Sequence, residues 1–326
     1  MSDLDFKTAL TERFRKGVAP LIGRDAVLWD LPYHNNIGDF LIWQGTADML
    51  HSLGVRVHEV RSHFTCTFPP LKPDVTIVMH GGGNFGTLYP THQIFRREVL
   101  RRYPDNRVVV MPQSVYYGDT PESAAMLQLD REAYGTHRHV TLCARDRVSY
   151  DFMRDNFSGT PVLLVPDAAF CIDERRLEPY RRMQPVADTL FLRRLDKEIT
   201  SEADSDMLAA LPARDWYWHE TIGRRIAYRA DNWWWRLHDG PYGSRWPGRV
   251  GRRLMTFYYN NVMLGDALHA GCMLIAPYRR VITTRLHGMI LALLLGREVE
   301  YIDNSTGKIS AYASTWNIPA KQFTHF

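Results

Sequence analysis

Along this chain, short β-branched apolar runs alternate with stretches in which apolar residues recur at helical spacing. "DAVLWDL" predicts a strand, "PYHNNIGD" a polar turn, and "FLIWQGTADMLHSLG" a helix. "VRVHEV" and "DVTIVMH" predict two more strands, the second running into "GGGNFG". The helix "THQIFRREVLRRYP", the strand "RVVVMPQSV" and the strand–turn–helix "HVTLCARDRVSYDFMRDNF" follow. The alternation continues through "PVLLVPDAAF", breaks at "DERRLEPYRRMQPVAD" and restarts with the strand "TLFLRR". After a long irregular region it returns as "RLMTFYYNNVMLGDALHAG", "RVITTRL", "HGMILALLLG" and "VEYIDN". Such alternation builds parallel sheet from βαβ units. The expected fold class is α/β, with Rossmann-like domains at 1–180 and 181–326 meeting near residues 175–187 across a cleft. The second would carry an insertion at about residues 214–253.

Composition narrows the class. Apolar residues make up 45% and charged residues 23% of 326, ordinary values for a folded chain with sizeable cores. The net charge of +4 disfavours a general nucleic-acid binder. The four cysteines are scattered without CxxC spacing, so neither a disulfide framework nor a zinc motif is expected, and a reducing, cytoplasmic setting follows as the default. "MSDLDFKTALTERFRKG" reads as an amphipathic helix without the apolar core of a signal peptide, and "GMILALLLG" is too short to span a bilayer.

Parallel sheets bind ligands beyond the carboxyl ends of their strands, and four segments there carry unusual chemistry. In "HNNIGD", Gly38 permits a tight turn while Asn36 and Asp39 can cap the next helix or meet a ligand. In "HGGGNFG", Gly82, Gly83 and Asn84 would offer bare amides to an anion, although neither the dinucleotide nor the phosphate-loop fingerprint is present. In "CARDRVS", only one of Arg145 and Arg147 is expected to face a cleft. In "TTRLHG", Arg285 and His287 would point to one side of an extended segment, with Gly288 opening a helix whose N-terminus faces the same space. A guanidinium beside a helix terminus suits a phosphate or carboxylate, and an imidazole can exchange a proton near neutral pH.

"NNIGD", "IVMHGGGNFG", "ARDRVSYD", "VPDAAF", "FLRRLDKE" and "TTRLHGMILALLLG…EYIDNSTGK" resemble, in order and spacing, the motifs of the polysaccharide pyruvyl transferase family over roughly residues 26–315. That resemblance implies a GT-B-like pair of domains and transfer of the enolpyruvyl unit of phosphoenolpyruvate to a hexose. The product would be a pyruvate ketal, usually 4,6-linked, on an exopolysaccharide or its lipid-linked repeat unit. It carries donor binding and acid–base work over to Arg285, Leu286 and His287, with Arg145 as the matching arginine of the ARD motif. Phosphoenolpyruvate is the donor substrate; no cofactor and no metal are expected. Its two anionic groups need several donors, which Arg145, Arg285, one of Arg193 and Arg194, Gly288 and the glycine segment would supply.

Six of the nine tryptophans and nine arginines lie between residues 214 and 253, Trp233, Trp234 and Trp235 among them. Aromatic faces pack on sugars and arginines on diphosphates, so a lipid-linked oligosaccharide fits as acceptor, and a basic aromatic segment also suits the inner face of a membrane. A packed insertion with solvated arginines explains the same composition. Two rival functions remain. A nucleotide-sugar glycosyltransferase of GT-B type would carry an acidic E-x₇-E motif, which is not evident after "RLHG". A non-catalytic carbohydrate-binding module would leave the glycine segment and "RLHG" without a purpose. Oligomeric state is not legible in the sequence.

Overall fold

A computed structural model describes residues 3–32, 36–63, 66, 68–194, 208, 211, 213–216, 257, 259–303 and 307–323. The chain opens with α1 (Asp3–Val18), whose Phe6, Leu10, Phe14 and Val18 recur every fourth residue and are buried, the stripe by which a helix docks on a core. There follow β1 (Asp25–Trp29), α2 (Ile37–Ser52), β2 (Arg56–Arg61), β3 (Thr76–Met79), β4 (Gly82–Gly86), α3 (Pro90–Arg102) and β5 (Val108–Tyr116). Then come α4 (Pro121–Thr136), β6 (Val140–Ala144), α5 (Arg147–Asn156) and β7 (Val162–Leu164). These strands form one parallel sheet in the order β2-β1-β3-β5-β6-β7, with β4 lying against β5 off that path.

A 3-10 turn (Ala168–Cys171) and α6 (Glu174–Arg181) lead to the second sheet. It contains β8 (Ala187–Leu192), β9 (Ala213–Arg214), β10 (Tyr278–Thr283), β11 (Glu298–Tyr301) and β12 (Lys321–Gln322). Between them lie α7 (Leu264–Ile275), entered through a π-helical turn at Tyr259–Met263, α8 (Leu286–Leu294) and α9 (Lys308–Trp316). The order is β12-β11-β10-β8-β9, again all parallel. The chain passes from one sheet to the other between β7 and β8. The α/β class with parallel sheets is therefore the architecture observed, and β3 and β6 are buried at every position because both faces of the first sheet are covered.

Helix α2 explains how the sheets come together. Its consecutive "FLIW" residues are buried on all sides, which a helix tolerates only when it is enclosed. It packs on α7, α8 and the 3-10 turn, and the resulting apolar core runs from Leu28, Val78 and Val109 of the first sheet to Leu190, Leu192 and Val281 of the second. On the opposite face of the first sheet, Trp29, Ile77 and Met79 meet Phe95, Val99 and Met153 from α3 and α5.

One expectation is corrected here. The glycine segment is not an open loop: Gly82–Gly86 is a strand paired with β5, Gly82 against Gln113 and Gly86 against Tyr116. Strand β5 bulges at Met111–Pro112, where proline has no N–H to give the ladder. A Cβ on Gly81 would lie 2.8 Å from the Pro112 carbonyl oxygen, and one on Gly86 only 2.0 Å from that of Tyr116. Two of the glycines thus serve backbone-to-backbone packing. Among the described residues, no helix is long and apolar enough to cross a membrane. Trp233, Trp234 and Trp235, with nearly all of the 214–253 segment, lie outside the described residues.

Candidate active site

The carboxyl ends of the two sheets converge on a buried group of three side chains. Arg145 follows β6, Asp167 follows β7, and His287 lies in the first turn of α8, just after β10. Arg145 Nη1 donates to Asp167 Oδ2 at 2.9 Å. His287 Nε2 lies 3.3 Å from that same oxygen and 3.5 Å from Arg145 Nη1. One imidazole nitrogen therefore faces both an acceptor and a donor, so it finds a partner with or without its proton.

Each member is held by its own scaffold. Arg145 Nε donates to Ser114 Oγ at 2.9 Å, Ser114 Oγ donates to Asp146 Oδ2 at 2.6 Å, and Asp146 caps α5 through Ser149 N. The Arg145 carbonyl oxygen accepts from Trp316 Nε1. Arg147 already opens α5 and is exposed, with its guanidinium over the Tyr150 ring, so only Arg145 turns inward. Asp167 Oδ1 accepts from Ala169 N at 2.9 Å, and Asp167 N donates to the Tyr312 hydroxyl. Burial works to raise the Asp167 carboxyl, but the neighbouring His287, Arg145 and the Ala169 amide outweigh it and hold the group well below the usual carboxylate range. Burial, with the Asp167 charge beside it, pushes the Tyr312 phenol well up, so Tyr312 stays protonated.

The imidazole explains Gly38. This residue is helical, not a turn: Asn36 is the N-cap of α2, with its Oδ1 accepting from Gly38 N at 3.1 Å. A Cβ on Gly38 would lie 2.7 Å from His287 Nδ1 and 3.1 Å from His287 Cβ, so glycine makes room for the ring. Asp39 accepts from Asn36 Nδ2 at 2.9 Å, and its Oδ1 faces Gly82, where an added Cβ would sit 3.3 Å away.

Other expected residues are arranged differently. Arg285 and His287 do not share a side, because Arg285 is the extended N-cap and α8 begins at Leu286, two residues earlier than expected. Arg285 instead makes a buried bidentate pair with Asp215, at 2.5 and 2.8 Å. The Leu286 side chain belongs to the apolar core. Gly288 is a packing glycine, since a Cβ there would meet Leu192 Cδ2 and Thr283 Oγ1, both at 2.6 Å. The Asn84 side chain turns away from Arg145 towards Arg96 and His92. Arg193 and Arg194 follow β8, where the Arg193 amide donates to the Arg214 carbonyl and the Arg194 amide to Thr284 Oγ1.

The second cation beside the triad is one that residue chemistry at sequence level did not single out. A Cβ on Gly83 would sit 3.3 Å from Arg145 Nη2 and 3.6 Å from Lys308 Nζ, so Gly83 leaves open the space onto which both cations face. Lys308 opens α9, whose start is fixed by Asp303 accepting from Ile309 N and Ser310 Oγ. A cavity of about 570 Å³ adjoins it, bordered by Ser114, Asp146, Ser149, Tyr301, Lys308 and Gln322. The signal for Lys308 was the terminal "DNSTGK", and for Asp167 the "VPDAAF" segment, in which its place at a strand end reads as a cap.

The family model described as "Polysaccharide pyruvyl transferase" matches residues 36–306, a span holding Arg145, Asp167 and His287. The chain belongs to the polysaccharide pyruvyl transferase family. It is 30% identical over 299 residues to "Putative pyruvyl transferase EpsO" of Bacillus subtilis (strain 168), covering 88% of this chain and 84% of that protein. With "Pyruvyl transferase 1" of Schizosaccharomyces pombe it shares 30% identity over 307 residues, 90% of this chain and 70% of the relative. A crystal structure of an uncharacterised protein from Klebsiella pneumoniae superposes with a TM-score of 0.58 over 99% of this chain and 98% of that one, at 18% identity, which speaks for the fold alone. Family membership makes this chain a transferase of the pyruvyl type.

Proposed function

We propose that this pyruvyl transferase uses phosphoenolpyruvate as donor and forms a pyruvate ketal across two hydroxyls of a hexose, 4,6-linked, on an exopolysaccharide or its lipid-linked repeat unit. The observation that carries this reading is the Arg145–Asp167–His287 group at the meeting point of the two sheets, with Lys308 beside it. The donor is anionic at two ends, and Arg145 and Lys308 face one space kept open by Gly83. Arg193 and Arg194 lie at the carboxyl end of the second sheet, as a further cationic side for the same donor, while Arg285 beside them is neutralised by Asp215.

The chemistry requires one proton to be delivered to carbon and two to be taken from oxygen. His287, protonated, gives its Nε2 proton to the vinyl CH₂ carbon of the donor, which becomes a methyl group, and positive charge develops at C2. A sugar hydroxyl adds to C2 and passes its proton to the now neutral imidazole. The C2–O bond to phosphate breaks, the second hydroxyl closes the ring, and its proton leaves with the phosphate. Asp167 holds His287 and Arg145 in place throughout, its carboxylate kept charged by those same neighbours. Arg145 and Lys308 stabilise the departing phosphate. Balance needs only donor and diol. We place the two domains across a cleft that admits both substrates, with Asn36 and Asp39 near the acceptor side and the 214–253 segment, Trp233 to Trp235 included, as the sugar- or membrane-facing part. A cytoplasmic site of action fits a donor of that kind.

The test is direct. Phosphoenolpyruvate with a suitable hexoside yields inorganic phosphate and an acid-labile product heavier by one pyruvyl group less water. His287→Ala and Lys308→Met abolish both while leaving the circular dichroism spectrum intact. Donor at a hundred times its Kd adds about 2.7 kcal/mol of stability, whereas uridine or guanosine diphosphate sugars add none. Stabilisation by the nucleotide sugar alone would transfer the assignment to a glycosyltransferase.

A further inference from the structure

At the outer end of the first sheet, a second polar group stands apart from His287. Asp30 immediately follows β1, His63 follows β2, and His92 lies in the first turn of α3. Asp30 is fully buried and adopts a left-handed backbone conformation (φ 68°), which a non-glycine residue takes only when its surroundings hold it there. His63 Nδ1 lies 3.0 Å from Asp30 Oδ1, and His92 Nδ1 lies 2.9 Å from both Asp30 oxygens. The two rings lie against each other with centroids 4.2 Å apart, and both are largely shielded from solvent. One ligand-type atom from each of the three residues thus falls within a sphere in which all lie less than 4.8 Å apart.

We propose that Asp30, His63 and His92 bind one divalent transition-metal ion, of the zinc type. Two imidazole nitrogens and one carboxylate oxygen are the donor set such ions prefer, whereas magnesium or calcium would call for oxygen alone. The spacing fits. Metal–ligand bonds of about 2.1 Å place tetrahedral ligands about 3.4 Å apart, so each imidazole nitrogen needs to part from the Asp30 oxygen by only a few tenths of an ångström. The ion takes the place of the protons that otherwise lie between the imidazoles and the carboxylate.

The charged neighbour on the other side is consistent with this. Arg96 Nη2 lies 3.5 Å from Asp30 Oδ2, the oxygen turned from His63, and its closer partners are Asn84 Oδ1 and Gln93 Oε1. Arg96 thus supports the carboxylate from outside at the oxygen away from His63, the usual arrangement of a supported metal ligand. The same network reaches Asn84 of β4, whose Nδ2 is 3.4 Å from His92 Nδ1. An ion here would tie the chain after β2 and the start of α3 to the strand that carries Gly83. Three protein ligands leave a coordination position for water or a hydroxyl. Chain separations of 33 residues from Asp30 to His63 and 62 from Asp30 to His92 match no metal-binding motif, so nothing in the sequence announces the site.

The experiment uses the full chain and does not depend on turnover. The purified protein is stripped with chelator, reloaded with Zn²⁺ or Co²⁺, freed of excess ion and analysed for metal content by mass spectrometry. The expected result is about one equivalent per chain, ligand-field absorption from the Co²⁺ form and a higher Tm for the Zn²⁺ form. Asp30→Asn and His92→Gln each lose the metal and the absorption. Should a variant fail to fold, His63→Gln and the wild-type metal content and Tm still decide. Wild-type protein that retains no metal, or variants that retain it in full, would overturn the proposal.

Discussion

His287 lies against the start of α2, and the residue that permits this is Gly38, 249 positions earlier in the chain. The contact is close enough that a single methyl group must move the ring, since an added Cβ falls 2.7 Å from Nδ1. Gly38→Ala should therefore displace His287 from Asp167 and Arg145 without unfolding α2, because alanine favours helix more than glycine does. Misplacement of a proton-transfer group by about 1 Å costs on the order of 10²-fold in rate. Phosphate release with saturating donor should fall by about that factor. A variant that turns over like the wild type would show that the ring's position against α2 is irrelevant to the chemistry.

At the scale of the element, β4 is a strand made largely of glycine, which ordinarily weakens pairing. Here it is glycine because β5 comes too near for anything else. Gly86 has φ 106° and no room for a Cβ within 2.0 Å of the Tyr116 carbonyl. Gly86→Ala should cost about 1–3 kcal/mol or more in urea unfolding, from backbone strain and overlap together. Gly135, near the end of α4, makes the contrast: nothing lies within 4 Å of its Cβ position. Gly135→Ala should instead stabilise by about 0.5–1 kcal/mol, the ordinary helix preference. If both substitutions gave the same sign, close approach would not be what fixes β4.

On the scale of the whole molecule, the two sheets share one apolar core, yet they also share a buried carboxylate. Asp167 sits below its ordinary range because His287, Arg145 and a backbone amide outweigh the burial that would raise it. Its folded value is lower than its unfolded value of 3.8, so its contribution to stability is complete above that pH. It is lost only as pH falls below 3.8 and through the folded value. Asp167→Asn should accordingly lower stability near neutrality, and the gap to the wild type should narrow as pH drops below 3.8. Equilibrium unfolding across that range reads this directly; a gap constant with pH would mean that the charge of Asp167 contributes nothing.

By itself, the sequence determined the α/β class, nearly every long strand and helix, and the family motifs, because hydrophobic period and short-range spacing are local properties. The family motif singled out Arg145, and it turns inward while Arg147 turns outward because β6 ends at Ala144 and Arg147 opens α5. The sequence did not resolve which residues of the motifs meet. Whether Asp167 was a cap or a partner for His287 depended on a contact between residues 120 apart in the chain, and it turned out to be both. Arg285 looked like a neighbour of His287 until the helix began at Leu286 and a buried Asp215 took its guanidinium. The whole glycine segment and Gly288 looked ligand-facing until the carbonyls and side chains that crowd Gly81, Gly86 and Gly288 came into place. The carboxylate–imidazole group around Asp30 was invisible for the same reason. Which charges neutralise one another, and which glycines are needed for space, are decided by distances across the packed interior, and those exist only once the two sheets have closed on α2.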